Sequence, residues 1–90
     1  MSIKVNIPSY LQPYTNDTAV IEVGGGTLYE CLKNLSKKYP KIWNKLFDKA
    51  GELHGYVSIY LDGEFIYGDS LSRAVNDGDE FHIFYILGGG

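Results

Sequence analysis

The alternation of apolar and polar residues predicts strands near the start of the chain. Residues 3–7 alternate with the period of a half-buried strand, and Pro8 ends that strand because proline cannot donate to a ladder. Residues 8–17, which contain two prolines and an Asn-Asp pair, are predicted to form a loop or wide turn. Residues 19–23 predict a second strand, antiparallel to the first. Its inward-facing side chains would be Ala19, Ile21 and Val23.

A helical repeat dominates the middle of the chain. Its apolar stripe consists of Leu28, Cys31, Leu32 and Leu35. Thr27, followed three residues later by Glu30, is typical of a capping box at the start of a helix. The Tyr39-Pro40 pair predicts where the helix stops, since the residue before proline avoids the α region. A second, shorter helix is predicted to carry Ile42, Trp43, Leu46 and Phe47.

The second half of the chain returns to strands. Residues 56–61 predict a strand, Asp62-Gly63 is a preferred hairpin dipeptide, and residues 64–67 form the short returning strand. The remaining predicted elements are one helical or 3₁₀ turn over residues 70–75, a tight turn over 76–79, and a final strand over 80–87.

This element order predicts an α+β fold. A mixed sheet of four to five strands would wrap over one main helix, with a short second helix beside it and the last strand able to run parallel to the first. That is the ubiquitin-like β-grasp arrangement. We expect one domain over residues 1–87 and a flexible glycine tail over residues 88–90.

Composition narrows the possible functions. A chain of 90 residues with 44% apolar content supports one modest core. The net charge of −3, with only 8 Lys and Arg, argues against nucleic acid as the main partner. A single cysteine excludes an internal disulfide and favours a cytoplasmic location, and no long apolar run indicates a membrane segment. Lysines crowd the middle and acids the last third, which indicates either solvated surfaces or an acidic end that steers the tail to a basic partner.

The interior of the domain shows no pattern typical of an active site. The Gly24–Thr27 segment lacks the spacing of a phosphate-binding loop, so we interpret it as a turn that feeds the capped helix. Cys31 belongs to the apolar stripe and is predicted to be a buried structural thiol. His54 and His82 have no clustered partners at metal-ligand spacing. We therefore expect no metal and no bound cofactor.

The final strand carries large apolar groups on both of its faces. One face would hold Phe81, Ile83 and Tyr85, and the other His82, Phe84 and Ile86. So small a domain has little core with which to cover both faces. Either one set forms an exposed patch beside the tail, or the second helix or a loop covers it. The predicted partner interface consists of Phe84, Ile86, Tyr60 and Tyr67.

The chain ends in three glycines, which carry no side chain to obstruct a narrow channel. Gly88 and Gly89 are predicted to thread into a partner enzyme and to present the Gly90 carboxylate as the reactive group. The alternative is a mobile end without a role, or a remnant of cloning.

The final residues carry a resemblance to a known family. This ending resembles that of the MoaD/ThiS family of ubiquitin-like sulfur-carrier proteins. The shared features are the turn Asp77-Gly78-Asp79-Glu80, the last strand that follows it and the terminal Gly89-Gly90. Gly88 takes the place of a small Ala or Ser. Residues 7–15 and 56–64 are most similar to the CysO-like branch. One departure is that many relatives carry prolines where this chain has Tyr85-Ile86.

The resemblance implies a carrier, not a catalyst. An E1-like adenylating enzyme of the MoeB/ThiF type would use ATP to adenylate the Gly90 carboxylate, and a sulfur donor would convert it to a thiocarboxylate. The acceptor would be a molybdopterin-synthase large subunit, a thiazole synthase or a cysteine synthase, so the sulfur would enter molybdopterin, thiamin or cysteine biosynthesis. The alternatives are a MoaD-type small subunit of molybdopterin synthase, a ubiquitin-like protein modifier, and a binding module whose tail is irrelevant.

Overall fold

The structure is a computed structural model that describes residues 2–85, with Asp69 described by its backbone alone. Its elements in chain order are β1 (Ile3–Asn6), a 3₁₀ helix (Ser9–Thr15), β2 (Val20–Val23), α1 (Leu28–Lys38), a 3₁₀ turn (Pro40–Ile42), α2 (Trp43–Leu46), β3 (Val57–Leu61), β4 (Glu64–Ile66), a 3₁₀ turn (Gly68–Ser70) and β5 (Glu80–Tyr85). The predicted tail of residues 88–90, and Ile86, lie outside the described residues.

The five strands of this region form one mixed sheet in the order β2-β1-β5-β3-β4. The two central strands, β1 and β5, run parallel, with Val5 beside Phe81, and the other neighbouring strands are antiparallel. A parallel pair needs a crossover connection, which here is the long path that contains α1. The predicted β-grasp arrangement, with its last strand parallel to its first, is confirmed.

Helix α1 begins and ends where the sequence predicts. The Thr27 hydroxyl accepts a hydrogen bond from the Glu30 N–H at 3.1 Å, which satisfies one of the free donors of the first turn. The helix ends at Lys38, immediately before the Tyr39-Pro40 pair. Its buried apolar stripe joins the inner face of the sheet in one core cluster, and the main members of this cluster are Leu28, Cys31, Leu32, Leu35, Ile3, Val5, Ile59, Phe81 and Ile83.

Two predicted turns fix the register of the last three strands. Asp62 and Gly63 have φ angles of 51° and 82°, the left-handed pair that a two-residue hairpin requires. The turn before β5 is closed by a hydrogen bond from the Asp79 N–H to the Asn76 carbonyl at 2.9 Å, and the Asp79 carboxylate accepts in return from the Asn76 N–H at 2.8 Å. Both turns are confirmed.

The prediction of a loop over residues 8–17 is wrong in part, because residues 9–15 form a 3₁₀ helix. The Leu11 N–H donates to the Pro8 carbonyl, and the fully buried Leu11 side chain anchors the segment to the core. Proline at the start of a helical turn sacrifices no backbone hydrogen bond, so Pro8 favours this turn as readily as an open loop.

The predicted turn over residues 70–75 is also displaced, since the 3₁₀ turn lies at Gly68–Ser70. The following residues run alongside the start of α1. The Leu71 and Arg73 carbonyls accept hydrogen bonds from the first two N–H groups of that helix, at 2.9 and 3.0 Å. Donors at a helix N-terminus need partners, and this long-range pairing satisfies them.

Two smaller expectations also change. Ala19 precedes β2 and is exposed, so only Ile21 and Val23 face the core from that strand. The second helix is shorter than its four predicted apolar positions, because Ile42 ends a 3₁₀ turn and Phe47 follows the last residue of α2. Both of these residues are nevertheless buried in the core.

Candidate partner interface

Strand β5 separates its side chains between the two faces of the sheet as predicted. Phe81 and Ile83 are buried against α1 and the core, whereas His82 and Phe84 point to the outer face and are exposed. One side of the strand is therefore packed into the core, and on the other side the Phe84 ring is exposed to solvent.

Four rings meet on this outer face, from Tyr60, Phe65, His82 and Phe84, and we call them the outer-face patch. The Tyr60 ring lies 4.9 Å from Phe65 and 6.1 Å from Phe84, and Phe65 lies 5.5 Å from Phe84, all edge to face. His82 is 6.5 Å from Tyr60. Phe84 and Phe65 remain 43% and 50% exposed, so the part of the chain described here leaves the patch open to solvent.

The structure brings together only some of the residues predicted for this interface. Tyr60 and Phe84 lie in the patch, but Tyr67, although exposed, makes no ring contact with it among residues 2–85. Ile86 and the three glycines lie outside the described residues. Phe65 was missed. A two-residue loop at Asp62-Gly63 places Phe65 directly opposite Tyr60, so hairpin register was the signal that could have found it.

A second group of rings surrounds the last described residue, Tyr85. The Tyr85 ring stacks on Tyr10 at 5.0 Å and meets Tyr56 edge to face at 5.0 Å. Burial, together with a hydrogen bond to Tyr56, raises the pKa of Tyr85 to about 12. Tyr10 and Tyr56 are 51% and 38% exposed. We call Tyr10, Tyr56 and Tyr85 the tyrosine cluster.

The phosphate-cradle alternative at Gly24–Thr27 is disfavoured by the hydrogen bonds that the segment already makes. The Gly26 N–H donates to the Glu30 carboxylate at 2.7 Å, and the Leu28 and Tyr29 N–H groups donate to backbone carbonyls. A phosphate would have to displace these acceptors and would meet the negative charge of Glu30. The segment is therefore a turn that caps α1, as predicted.

The remaining reactive side chains have structural surroundings. Burial raises the pKa of Cys31 to about 11, which opposes formation of the nucleophilic thiolate. The His54 ring lies 3.0 Å from the Asn44 carbonyl, and His82 belongs to the outer-face patch. Residues 2–85 contain no group of three or more His, Cys, Asp and Glu able to hold a metal ion. The helices of this region are also too short and too polar to cross a bilayer.

Several acids of the last third also have structural partners. Asp77 accepts a hydrogen bond from the Ser2 N–H at 2.6 Å, and Glu80 accepts from the Asn6 amide at 2.6 Å. Glu64 forms an ion pair with Arg73. These contacts favour the interpretation that the acidic end stabilises turns and strand ends.

Comparisons with known proteins agree with this fold. A model described as the ThiS family matches residues 5–90. The sulfur carrier protein CysO of Mycobacterium tuberculosis is 32% identical over 93 aligned positions, which cover 100% of each chain. A crystal structure of the Amycolatopsis orientalis BexX/CysO complex matches with a TM-score of 0.86 and 26% identity, covering 98% of this chain and 99% of that one. The small archaeal modifier protein 1 of Methanosarcina acetivorans matches with a TM-score of 0.84 and 26% identity, covering 99% and 96%.

A five-stranded mixed sheet over one long helix, shared with these proteins, defines a ubiquitin-like β-grasp protein. Since the family model covers nearly the whole chain and a relative is 32% identical over its full length, the chain belongs to the ThiS family. The resemblance inferred from the Asp77–Glu80 turn and the glycine ending is confirmed.

Proposed function

We propose that this protein is a cytoplasmic sulfur carrier that an E1-like adenylating enzyme of the MoeB/ThiF type activates at Gly90. The enzyme joins the Gly90 carboxylate to the α-phosphate of ATP and releases pyrophosphate. Sulfur at the oxidation level of sulfide, such as hydrosulfide released by a donor, then attacks the activated carbonyl carbon, AMP leaves, and a thiocarboxylate remains on Gly90. ATP is thus a substrate of the partner, and this chain is a cosubstrate with no cofactor of its own.

The observation that carries this proposal is the full-length similarity to proteins named as sulfur carriers. The relative called CysO is 32% identical from end to end, and the match to the ThiS family extends through the glycines to residue 90. Family membership supports carrier chemistry, and a cysteine synthase, a thiazole synthase and a molybdopterin-synthase large subunit are the candidate acceptors.

The described part of the chain suits a carrier, because the domain of a carrier has only to support the reactive tail and to bind the enzymes that act on it. Its single cysteine is buried with a raised pKa, so the domain offers no competing thiol nucleophile near the outer face. The outer-face patch supplies an exposed aromatic surface on the strand that leads to the tail. Interfaces are enriched in such aromatic residues, so we assign this patch to docking of the activating enzyme.

A pyrophosphate-exchange assay tests the activation step. The protein is incubated with the E1-like enzyme of its own organism, ATP and labelled pyrophosphate, and label entering ATP reports reversible adenylation. We expect exchange with the full chain and none with a variant that lacks Gly89 and Gly90, while a variant in which Tyr29 is replaced by Ser serves as a folded control with an intact tail. Exchange that persists without the two glycines would contradict the assignment of Gly90.

A second candidate function is modification of proteins. The observation that favours protein modification is the similarity to a small archaeal modifier protein, with 26% identity and a TM-score of 0.84. The same activated Gly90 carbonyl would then be attacked by a lysine amine in place of sulfur. Denaturing blots of cells that express a tagged chain separate the two functions, because isopeptide conjugates survive reducing and hydroxylamine treatment whereas a thiocarboxylate yields only the free carrier.

A further inference from the structure

The tyrosine cluster lies at the point from which the chain continues toward the tail. Its three rings come from distant parts of the sequence: Tyr10 from the first 3₁₀ helix, Tyr56 from the residue before β3, and Tyr85 from the end of β5. Pairing of Val57 with Tyr85 brings two of these segments together, and the Tyr10 ring closes over Tyr85 from the third.

The cluster presents rigid apolar surface to solvent. Tyr10 is half exposed, and Tyr56 is also exposed although it contacts both Tyr85 and His54, at 5.0 and 4.7 Å. Tyrosine loses little conformational entropy when it is ordered, and here the rings are already held against each other. Such a preorganised aromatic surface is well suited to a protein contact.

The reach of the chain connects this surface to the proposed reaction. Gly90 lies five positions after Tyr85, so the two Cα atoms can lie at most about 18 Å apart even when the chain is fully extended. An enzyme that encloses the last glycines must therefore hold its reaction centre within about 18 Å of Tyr85, which brings the entrance of its channel close to the end of β5. The exposed faces of Tyr10 and Tyr56 form the surface there.

The cluster and the outer-face patch flank the end of β5 from opposite sides. Phe84 points to the outer face, and the next residue, Tyr85, points to the inner side, where Tyr10 covers it. A partner in contact with both surfaces would hold the end of the strand in a fixed orientation, which limits the directions in which the tail can enter a channel.

We propose that the tyrosine cluster is a second docking surface for the E1-like activating enzyme, in contact with that enzyme around the entrance of its tail channel. The inference rests on the proposed function and deepens it by naming where the partner binds.

A matched pair of tyrosines allows a test. Tyr10 and Tyr29 are both exposed, and each contacts one other ring, Tyr85 and Phe47 respectively. Tyr29 lies in the first turn of α1, shortly after β2 ends. The last residue of β2 pairs with Ile3 at the start of β1, and β5 also begins at this end of the sheet. The tail continues from the other end. Tyr29→Ser is therefore a control for loss of an exposed ring.

The assay measures pyrophosphate exchange against carrier concentration for the wild-type chain, Tyr10→Ser, Tyr10→Phe and Tyr29→Ser, with thermal unfolding of each variant as a check on folding. We expect Tyr10→Ser to raise the KM for the carrier about tenfold, the effect of losing one good interface contact. Tyr10→Phe keeps the ring and should restore the KM to within about twofold of wild type, and Tyr29→Ser should leave it unchanged.

Each outcome has a distinct meaning. If the wild-type chain supports exchange and Tyr10→Ser leaves the KM unchanged, this inference is overturned and the proposed function stands. The same holds if Tyr29→Ser raises the KM as much as Tyr10→Ser does. No exchange with the wild-type chain would overturn both. If Tyr10→Ser does not fold, Tyr10→Lys replaces it, since an aliphatic stem can still cover Tyr85 while the charged end disrupts an apolar contact.

Discussion

Alanine substitutions at Phe84 and Phe81, three positions apart on β5, measure whether the outer-face patch belongs to the core or to an interface. Phe81 is 0% exposed, and truncation of a buried phenylalanine costs about 3–5 kcal/mol. Phe84 is 43% exposed and contacts Tyr60 and Phe65 edge to face, so loss of its partial burial and these ring pairs should cost only about 1–2 kcal/mol. A domain of this size has a stability of roughly 5–13 kcal/mol.

Urea unfolding gives both free energies, with fluorescence of Trp43, which stacks on Phe47 in the core, as the probe. Phe84→Ala should remain folded and yet lose at least about tenfold in apparent affinity for the E1-like enzyme, the effect of removing an exposed aromatic contact. Phe81→Ala should lose about 3–5 kcal/mol of its free energy of unfolding, two to three times the loss in Phe84→Ala. Equal destabilisation by the two substitutions would refute the assignment of Phe84 to an open surface, and unchanged affinity of Phe84→Ala would refute its role in docking.

Three further predictions concern the region around α1. Gly25→Ala should destabilise the fold by about 2–4 kcal/mol, whereas Gly55→Ala should change stability by less than about 0.5 kcal/mol in the same urea experiment. Gly25 has a φ of 151°, and an added Cβ there would lie 2.8 Å from the Cys31 Sγ, whereas a Cβ added at Gly55 would meet open space. Equal destabilisation by the two substitutions would contradict this explanation. Thr27→Ala should cost about 1 kcal/mol through loss of the helix cap, and restoration of that loss by Thr27→Ser would confirm the cause. Since burial raises the pKa of Cys31 from 9.0 to about 11, the unfolded chain binds fewer protons between those pH values, so stability should fall as the pH rises from about 9 to about 11. Cys31→Ala should reduce this fall and leave the part that the raised pKa of Tyr85 contributes.

The strands and the main helix were predictable because short-range patterns determine them. Strand alternation at residues 3–7, the capping box at Thr27 and the Asp62-Gly63 hairpin each act within a few residues, and the structure confirms all three. The two displaced elements depend on distant partners instead. The 3₁₀ helix at residues 9–15 is anchored by the burial of Leu11, and the 71–75 segment pairs with the start of α1 across the fold.

The candidate site divides in the same way. Alternation along β5 placed Phe84 on the face opposite Phe81, but it left open whether the second helix or a loop covers that face. The 43% exposure of Phe84, and the pairing of β3 with β5 that brings Tyr60 beside it, come from the structure. The tyrosine cluster was not predictable, because its members are separated by 46 and 29 positions in the sequence and meet only when the first 3₁₀ helix packs beside the end of β5.

The central claim is that Gly90 carries sulfur, and an intact-mass measurement tests it most directly. The protein is isolated from its own cells, with and without the E1-like enzyme, and fragmented to locate any change. The account predicts that a fraction of the molecules from cells with the enzyme carries sulfur in place of one Gly90 oxygen, and that this fraction is absent without the enzyme. It should increase when the acceptor enzyme is deleted, because the charged carrier accumulates. A plain carboxylate in every molecule of the acceptor-deleted cells, or a mature chain that ends at another residue, would contradict the account.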